Sequence, residues 1–141
     1  MNRQILFRGK CFDTNKWVYG YYVLNNKGSF IETMNLEEDY DIINRVDSST
    51  VGQYIGLNDK LDNKIFEGDI VDVKFFEDYL KRYICIFKNG SFVLYHDLGS
   101  SKEICSFSSI CSCGAEYTVV GNIYDKRELT KSDIGSSLKL K

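Results

Sequence analysis

Cationic and aromatic side chains close to the amino terminus carry the clearest chemical signal in this sequence. Arg8 and Lys10 are followed by an aromatic residue at every second position from Trp17 to Tyr21. Guanidinium and ammonium groups bind phosphates through charge-assisted hydrogen bonds, and aromatic faces stack on bases. Burial in a core or an interface is the competing explanation for the aromatic stripe. The residues predicted to contact a small anionic, nucleotide-like ligand are Arg8, Lys10, Trp17, Tyr19, Tyr21 and Lys60.

Carboxylates around a glycine are the first candidates for acid–base chemistry. Glu67 and Asp69 flank Gly68, and Asp72 follows closely. A catalytic carboxylate needs a cleft and a shifted pKa. Short acidic side chains beside a glycine, in contrast, commonly form the hydrogen bonds of a turn. We interpret these residues as part of a turn and predict no catalysis from them.

A single histidine restricts the remaining catalytic arrangements. His96 is the only histidine in the chain, which excludes a metal site built on two histidines. A serine or cysteine nucleophile would need His96 and an orienting carboxylate, and adjacency in sequence does not make Asp97 that carboxylate. A structural role at a strand end is favoured, and we expect no enzymatic activity.

Three cysteines, Cys105, Cys111 and Cys113, are candidate zinc ligands, with Cys85 or His96 as a fourth ligand. Structural zinc sites usually contain Cys-x2-Cys pairs, and the Cys-x-Cys spacing here departs from that pattern. The chain has five cysteines, an odd number, so they do not form the disulfide framework of a small secreted protein. We interpret them as free thiols and expect neither a metal nor another cofactor.

The elements that would position the amino-terminal set form a hairpin and a third strand. Residues 5–12 and 16–24 have strand composition and flank the turn-forming sequence Asp13-Thr14-Asn15. A strand alternates with a period of two, so Trp17, Tyr19 and Tyr21 should share one face. Residues 29–33 should return as a third short strand.

The middle of the chain is less regular. Residues 35–49 show no decisive pattern and are predicted to be irregular. Residues 50–57 and 65–73 have strand composition interrupted by glycines, which mark bulges or tight bends in strands. Such bends help a sheet to curl, as in the wall of a small barrel.

The clearest hairpin lies in the second half, where residues 82–87 and 92–96 flank Asn89-Gly90. Apolar residues lie on both faces of this hairpin, so each face must be covered by another layer of the domain or by a second copy of the chain. We favour a subunit contact. A serine-rich segment, residues 100–112, precedes a last strand at residues 116–124.

The composition limits the protein class. Hydrophobic residues make up 43% and charged residues 27% of 141 residues, as in one globular domain. The net charge of −2 disfavours long nucleic acid as a partner. We expect a cytoplasmic protein with no membrane segment. The domain should cover residues 1–130, with possible lobes at 1–49 and 50–130 and a flexible tail at 131–141.

Three stretches together resemble the YopX family of phage and prophage proteins. They are residues 7–10 with 17–21, residues 50–57 leading to 65–71, and residues 120–124. The resemblance implies a β-rich fold with an SH3-like barrel, homo-oligomers and an origin in a phage or mobile element. The resemblance does not point to any particular activity, and it identifies no catalytic residues.

The predicted fold class is therefore mainly β, a small antiparallel SH3-like barrel with an additional amino-terminal β-rich lobe and little helix. The predicted function is that of a non-catalytic phage protein in the host cytoplasm, which sequesters a small nucleotide-like ligand or blocks a host protein as a homo-oligomer. A nucleic-acid-associated regulator using a barrel groove is the alternative.

Overall fold

The computed structural model describes residues 1–35, 37, 40–97 and 99–125, without the side chains of Met34 and Asn35. The described chain consists mainly of β-strands, and it divides into two compact units, Met1–Gly56 and a second that begins at Leu57. The prediction of a mainly β protein with little helix is confirmed. The tail predicted at residues 131–141 lies outside the described residues, and the predicted lobe boundary stays a prediction.

The first unit is built on an antiparallel sheet. Its strands are β1 (Phe7–Lys10), β2 (Trp17–Asn25), β3 (Gly28–Asn35), β4 (Tyr40–Val46) and the start of β5 (Gly52–Asn58), in the order β4-β3-β2-β1-β5. The predicted hairpin and third strand are present. Asn15, in the β1–β2 turn, has a φ of 55°, a left-handed conformation that asparagine tolerates.

Strand β4 corrects the prediction that residues 35–49 are irregular. It pairs with β3 from Tyr40 to Val46, and a 3-10 turn follows at Ser48–Thr50. Val46 is buried and lies against Gly9, where a β-carbon would come within 3.0 Å of it. The Asp47 carboxylate accepts a hydrogen bond from the Ser49 backbone and so begins the turn. The conformation of this segment therefore depends on partners that are distant in the sequence, because its local pattern is ambiguous.

The second unit contains a second antiparallel sheet and one short helix. Its elements are β6 (Lys64–Phe66), β7 (Asp69–Phe76), β8 (Tyr79–Lys88), β9 (Ser91–Asp97), β10 (Lys102–Ser106), α1 (Phe107–Ser112) and β11 (Glu116–Asn122). The sheet order is β10-β9-β8-β7-β11. The first sheet continues from β5 to β6, and a single bridge joins Cys11, after β1, to Val46 of β4. Within the described residues the two outermost strands of neither sheet pair with each other, so the expected barrel is corrected to two open sheets. The SH3-like comparison stays a prediction.

The serine-rich segment contains a strand and a helix. Strand β10 pairs with β9, and the Ser106 hydroxyl caps α1 by accepting a hydrogen bond from the Ser109 backbone at 3.1 Å. Phe107 and Ile110 bury the apolar side of α1. In the part of the chain that the structure describes, no helix has the length and hydropathy needed to cross a membrane.

The β8–β9 hairpin has the predicted turn. Asn89 and Gly90 have φ values of 51° and 80°, as a type I′ turn requires. Tyr83, Ile84 and Cys85 are buried within the chain, although their side chains alternate between the two faces. Burial on both faces is therefore achieved without a second copy at these residues, and the reason we gave for a subunit contact does not hold there.

Asp59 organises the loop between β5 and β6. Its buried carboxylate accepts hydrogen bonds from the backbones of Leu61, Asn63 and Val119 at 2.8–2.9 Å, and from the Asn63 side chain. Burial alone would raise the pKa of Asp59, but the hydrogen bonds from Val119, Asn63 and Leu61 outweigh it and hold the pKa below its usual value.

Candidate ligand-binding groove

Pairing in the first unit brings the predicted ligand residues of β1 and β2 onto one face. Arg8 lies opposite Tyr19, and Lys10 lies opposite Trp17. Directly opposed residues of antiparallel strands point to the same side of the sheet. The alternation of β2 then adds Tyr21 to this face. Five of the six predicted residues therefore share one face of the sheet, and their contact with a ligand stays a prediction.

A groove of about 490 Å³ opens beside two of these residues. Tyr19 and Tyr21 line it and are 45% and 60% exposed. The amino-terminal segment forms another wall, and β3 contributes the rest. The lining residues are Met1, Arg3, Gln4, Ile5, Leu6, Tyr19, Gly20, Tyr21, Glu32 and Thr33.

Backbone contacts hold the walls of the groove in place. The Tyr54 backbone donates a hydrogen bond to the Leu6 carbonyl oxygen at 2.8 Å, which attaches the amino-terminal segment to the sheet. The Thr33 hydroxyl donates to the Tyr19 carbonyl oxygen at 2.9 Å. At Gly20 a β-carbon would lie 2.1 Å from the Glu32 carbonyl oxygen, so only glycine permits this approach of β2 to β3.

Arg3 and Glu32 give the groove one cation and one carboxylate. The aliphatic part of Arg3 lies over Gly56, where a β-carbon would be 3.5 Å from Arg3 Cδ. Glu32 lies directly opposite Tyr21 and is half-buried. The sequence interpretation missed both residues. Alternation on β3 places Glu32 on the face of the tyrosines, but Arg3 precedes the first strand and has no comparable signal.

Arg8 and Lys10 are near the groove but belong to a separate contact with Trp17. The Arg8 guanidinium carbon lies 4.7 Å from the Trp17 ring centroid, and Lys10 Nζ lies 5.7 Å from it. Arg8 is only 6% exposed. A buried guanidinium on an indole face contributes to packing as well as charge, so Arg8 supports the sheet and has little surface available to a ligand.

Lys60 belongs to the second unit, whereas the other five predicted residues belong to the first. Its ammonium forms an ion pair with Glu116 at 3.2 Å, and both side chains are exposed. Its backbone donates to the Tyr117 carbonyl oxygen. These contacts give Lys60 a role in holding the loop after β5 against β11.

The acidic residues flanking Gly68 have structural contacts. Asp69 is buried, and its carboxylate accepts a hydrogen bond from the Phe66 backbone at 2.7 Å across the turn. Asp72 forms a two-point ion pair with Arg82, with distances of 2.5 and 2.7 Å. Burial raises the pKa of Glu67. The turn interpretation accounts for the contact of Asp69, whereas Asp72 lies within strand β7 and pairs across the sheet with Arg82 of β8.

His96 lies in a buried polar cluster of the second unit. Its Nδ1 donates to the Arg82 carbonyl oxygen at 2.8 Å, and its ring meets Tyr83 edge-on. The Tyr83 hydroxyl donates to Glu103 at 2.8 Å, and Lys81 donates to the other oxygen of the same carboxylate. These hydrogen bonds, that from Lys81 foremost, hold the pKa of Glu103 below its usual range. The sequence interpretation did not identify this cluster.

The five cysteines are free thiols in the structure. Cys11 and Cys85 are buried, whereas Cys111 and Cys113 are exposed at the end of α1. Burial raises the pKa of the half-buried Cys105 thiol. Among the described residues no group of three or more histidine, cysteine or acidic side chains is arranged to hold a metal ion.

Comparison with known proteins gives a family and a fold. The profile of the family described as YopX protein matches residues 6–131. The crystal structure of protein EF1440 from Enterococcus faecalis is similar, with 20% sequence identity and a TM-score of 0.53 over 91% of this chain and 99% of that chain. This likeness shows the fold alone. No curated protein matches the chain.

Proposed function

The chain belongs to the YopX family, and on that premise we propose that it is a non-enzymatic phage or prophage protein that captures a small nucleotide-like ligand inside the host cell. The observation that carries this proposal is the groove of the first unit, in which two exposed tyrosine rings lie beside Arg3.

The size and chemistry of the groove support a mononucleotide-sized ligand. Its volume of about 490 Å³ lies within the range of roughly 300–1,000 Å³ typical of small-molecule sites. The exposed face of a tyrosine ring can stack on any base, and only two χ angles of the side chain become ordered. The Arg3 guanidinium is suited to bind a phosphate through two parallel hydrogen bonds.

The structural roles of the acid–base candidates support capture without turnover. The Asp69 carboxylate accepts a hydrogen bond within a turn, and Asp72 forms an ion pair with Arg82. His96 donates a hydrogen bond to a backbone carbonyl oxygen. Each of these groups already has a partner whose loss would cost folding stability. A bound ligand should therefore be released unchanged.

The test is thermal melting and calorimetry of the full chain with linear and cyclic nucleotides. A ligand that binds only the folded protein adds about 2.7 kcal/mol of stability at a hundredfold excess over its Kd. Tyr21→Ala should weaken binding about tenfold or more, because base stacking contributes about 1–3 kcal/mol. The matched control is Tyr79→Ala, which removes an exposed tyrosine of the second unit.

Chromatography after long incubation separates a binding protein from an enzyme. We expect the recovered nucleotide to be unchanged. Product formation, as expected if Glu67, Asp69 or His96 were catalytic, would contradict the non-enzymatic proposal. A complete lack of melting shifts across the panel would remove the support for nucleotide capture.

A second candidate function, blockage of a host protein, is favoured by the β7–β8 hairpin. Phe76 is 76% exposed at its tip, with Tyr79 and Leu80 exposed beside it. Glu77 and Asp78 occupy the turn between the strands. An exposed apolar tip with two carboxylates fits an apolar cleft with a basic rim on a partner protein.

Affinity capture from host extract tests this second candidate. A specific partner should be retained by the wild-type chain and lost with Phe76→Ser. Leu61→Ser is the matched control, because Leu61 is also an exposed apolar residue of the second unit. Equal loss with both variants would show non-specific adhesion.

We also propose that the chain assembles with copies of itself. Phe87 supports this part of the proposal, since it is 55% exposed and meets Phe92 edge-on with ring centroids 5.1 Å apart. An exposed aromatic ring that packs on a half-buried one at the end of a hairpin is suited to a contact that repeats in both copies.

A further inference from the structure

Resting on the proposed nucleotide capture, we infer that the groove selects a guanine base and that Glu32 is the residue that determines this selectivity. The inference names the ligand class, and it depends on three observations at the groove. They are the position of Glu32, the state of its carboxylate and the charge balance with Arg3.

Glu32 is positioned to meet the edge of a stacked base. In the sheet it lies directly between Tyr21 of β2 and Ile43 of β4. Opposed residues on one face have β-carbons about 4.5–5.5 Å apart. A planar ring stacked on the exposed face of Tyr21 therefore presents its edge to the neighbouring carboxylate.

The Glu32 carboxylate is available to a ligand. It is half-buried next to a tyrosine ring and an isoleucine side chain, and within the described residues no hydrogen bond or ion pair engages it. A partly desolvated carboxylate without donors is unfavourable, and it gains most from a ligand that supplies them.

The donor pattern of the ligand follows from the carboxylate. An ionised glutamate only accepts hydrogen bonds, and its two oxygens suit two neighbouring N–H groups. Guanine presents N1–H and the N2 amino group side by side. Adenine presents the N1 lone pair beside its amino group, which would oppose a carboxylate oxygen. Hypoxanthine retains N1–H but lacks the second donor.

Charge balance disfavours cationic ligands with paired N–H donors. A guanidinium or amidinium ion could satisfy Glu32, but Arg3 lines the same groove and would repel it. A guanine nucleotide offers a neutral donor edge to the carboxylate and an anionic phosphate to Arg3. It is therefore complementary to both charges at once.

The test compares GMP, IMP and AMP by calorimetry with the full chain. Wild-type protein should bind GMP most tightly, IMP less and AMP least, with GMP preferred to AMP by about tenfold to hundredfold, as for a good bidentate base contact. Glu32→Gln should weaken GMP binding and strengthen AMP binding, because the amide accepts a hydrogen bond from the adenine amino group and donates one to N1, so the three affinities should converge to within about threefold.

Asp41→Asn is the matched control, since it neutralises an exposed carboxylate of β4 outside the groove. It should leave the ranking intact, and melting curves should show that both variants fold. Equal GMP and AMP binding by the wild type, lost with Tyr21→Ala, would overturn the base selection and leave the proposed function standing. Retained GMP preference in Glu32→Gln would overturn the role of Glu32. No binding of GMP, IMP or AMP would overturn the guanine inference, and the absence of a melting shift with every linear and cyclic nucleotide would overturn the proposed function as well.

Discussion

Single residues in this protein combine several contacts that a sequence pattern does not reveal. Alternation correctly predicts that Arg8, Lys10 and Trp17 lie on one face of the sheet. The short turn between β1 and β2 makes the two strands antiparallel neighbours, so their residues lie opposite one another. The burial of Arg8 depends on the rest of the sheet and could not be predicted from two strands. Glu32 is predictable only once its register with Tyr21 is known.

Asp59 gives a prediction for the dependence of stability on pH. Its folded pKa lies below the unfolded value of about 3.9. Its stabilisation is therefore fully present above about pH 4, and it is lost as the pH falls through the lower folded pKa. At pH 7, Asp59→Asn should unfold at a lower urea concentration than wild type, with a free energy of unfolding lower by about 1–3 kcal/mol. The difference between the two proteins should be smaller at pH 2–3.

Asp62→Asn is the control for Asp59, because Asp62 is an exposed carboxylate of the same loop that accepts one bond from Asn58. Its effect at pH 7 should be below about 0.5 kcal/mol. Parallel pH profiles for wild type and Asp59→Asn would contradict a lowered pKa at Asp59.

Gly20 gives a second prediction at this scale. Gly20→Ala should destabilise the first unit by about 2–3 kcal/mol, since the new methyl group would overlap the Glu32 carbonyl oxygen and push β2 from β3. The measurement is urea unfolding followed by circular dichroism. A change below about 0.5 kcal/mol would mean that the strands separate without cost, and the groove walls would then be less rigid than the contacts indicate.

Elements with strong local signals were predicted well, and elements decided by distant partners were not. The Asn89-Gly90 hairpin follows from two residues that accept positive φ. Strand β4 needs β3 along its whole length, and α1 needs its Ser106 cap and the burial of Phe107. The serines of that segment favour no single element, because helix capping and turn formation use the same residue types.

Two turn glycines provide a comparison at the scale of elements. Gly68 and Gly90 both have positive φ, of 90° and 80°. A β-carbon at Gly90 meets nothing within 4 Å, whereas at Gly68 it lies 2.9 Å from the Tyr124 ring. Gly90→Ala should cost about 1–2 kcal/mol of folding stability from backbone strain alone. Gly68→Ala should cost more, and equal melting temperatures for the two variants would contradict the Tyr124 contact.

At the scale of the whole molecule the open question is assembly. Tyr83, Ile84 and Cys85 are buried within the chain, so Phe87 is the exposed large apolar side chain of residues 82–96 that remains available to another copy. Phe87→Asp should convert an oligomer to a monomer of 16.3 kDa without unfolding it, because the residue is already half in solvent. Light scattering at micromolar concentration measures this, with Leu61→Asp as the control. A wild-type chain that scatters only as a monomer would overturn the proposed assembly.

The contact of Trp17 with Arg8 and Lys10 has an optical consequence. Trp17 is the only tryptophan of the chain and belongs to the first unit. Excited at 295 nm, the protein therefore emits from one indole whose neighbours are two cations, at 4.7 and 5.7 Å. The emission wavelength should change when the amino-terminal sheet opens and should not change when only the other unit unfolds. A denaturation curve recorded by fluorescence would therefore coincide with one recorded by circular dichroism only if both units unfold together.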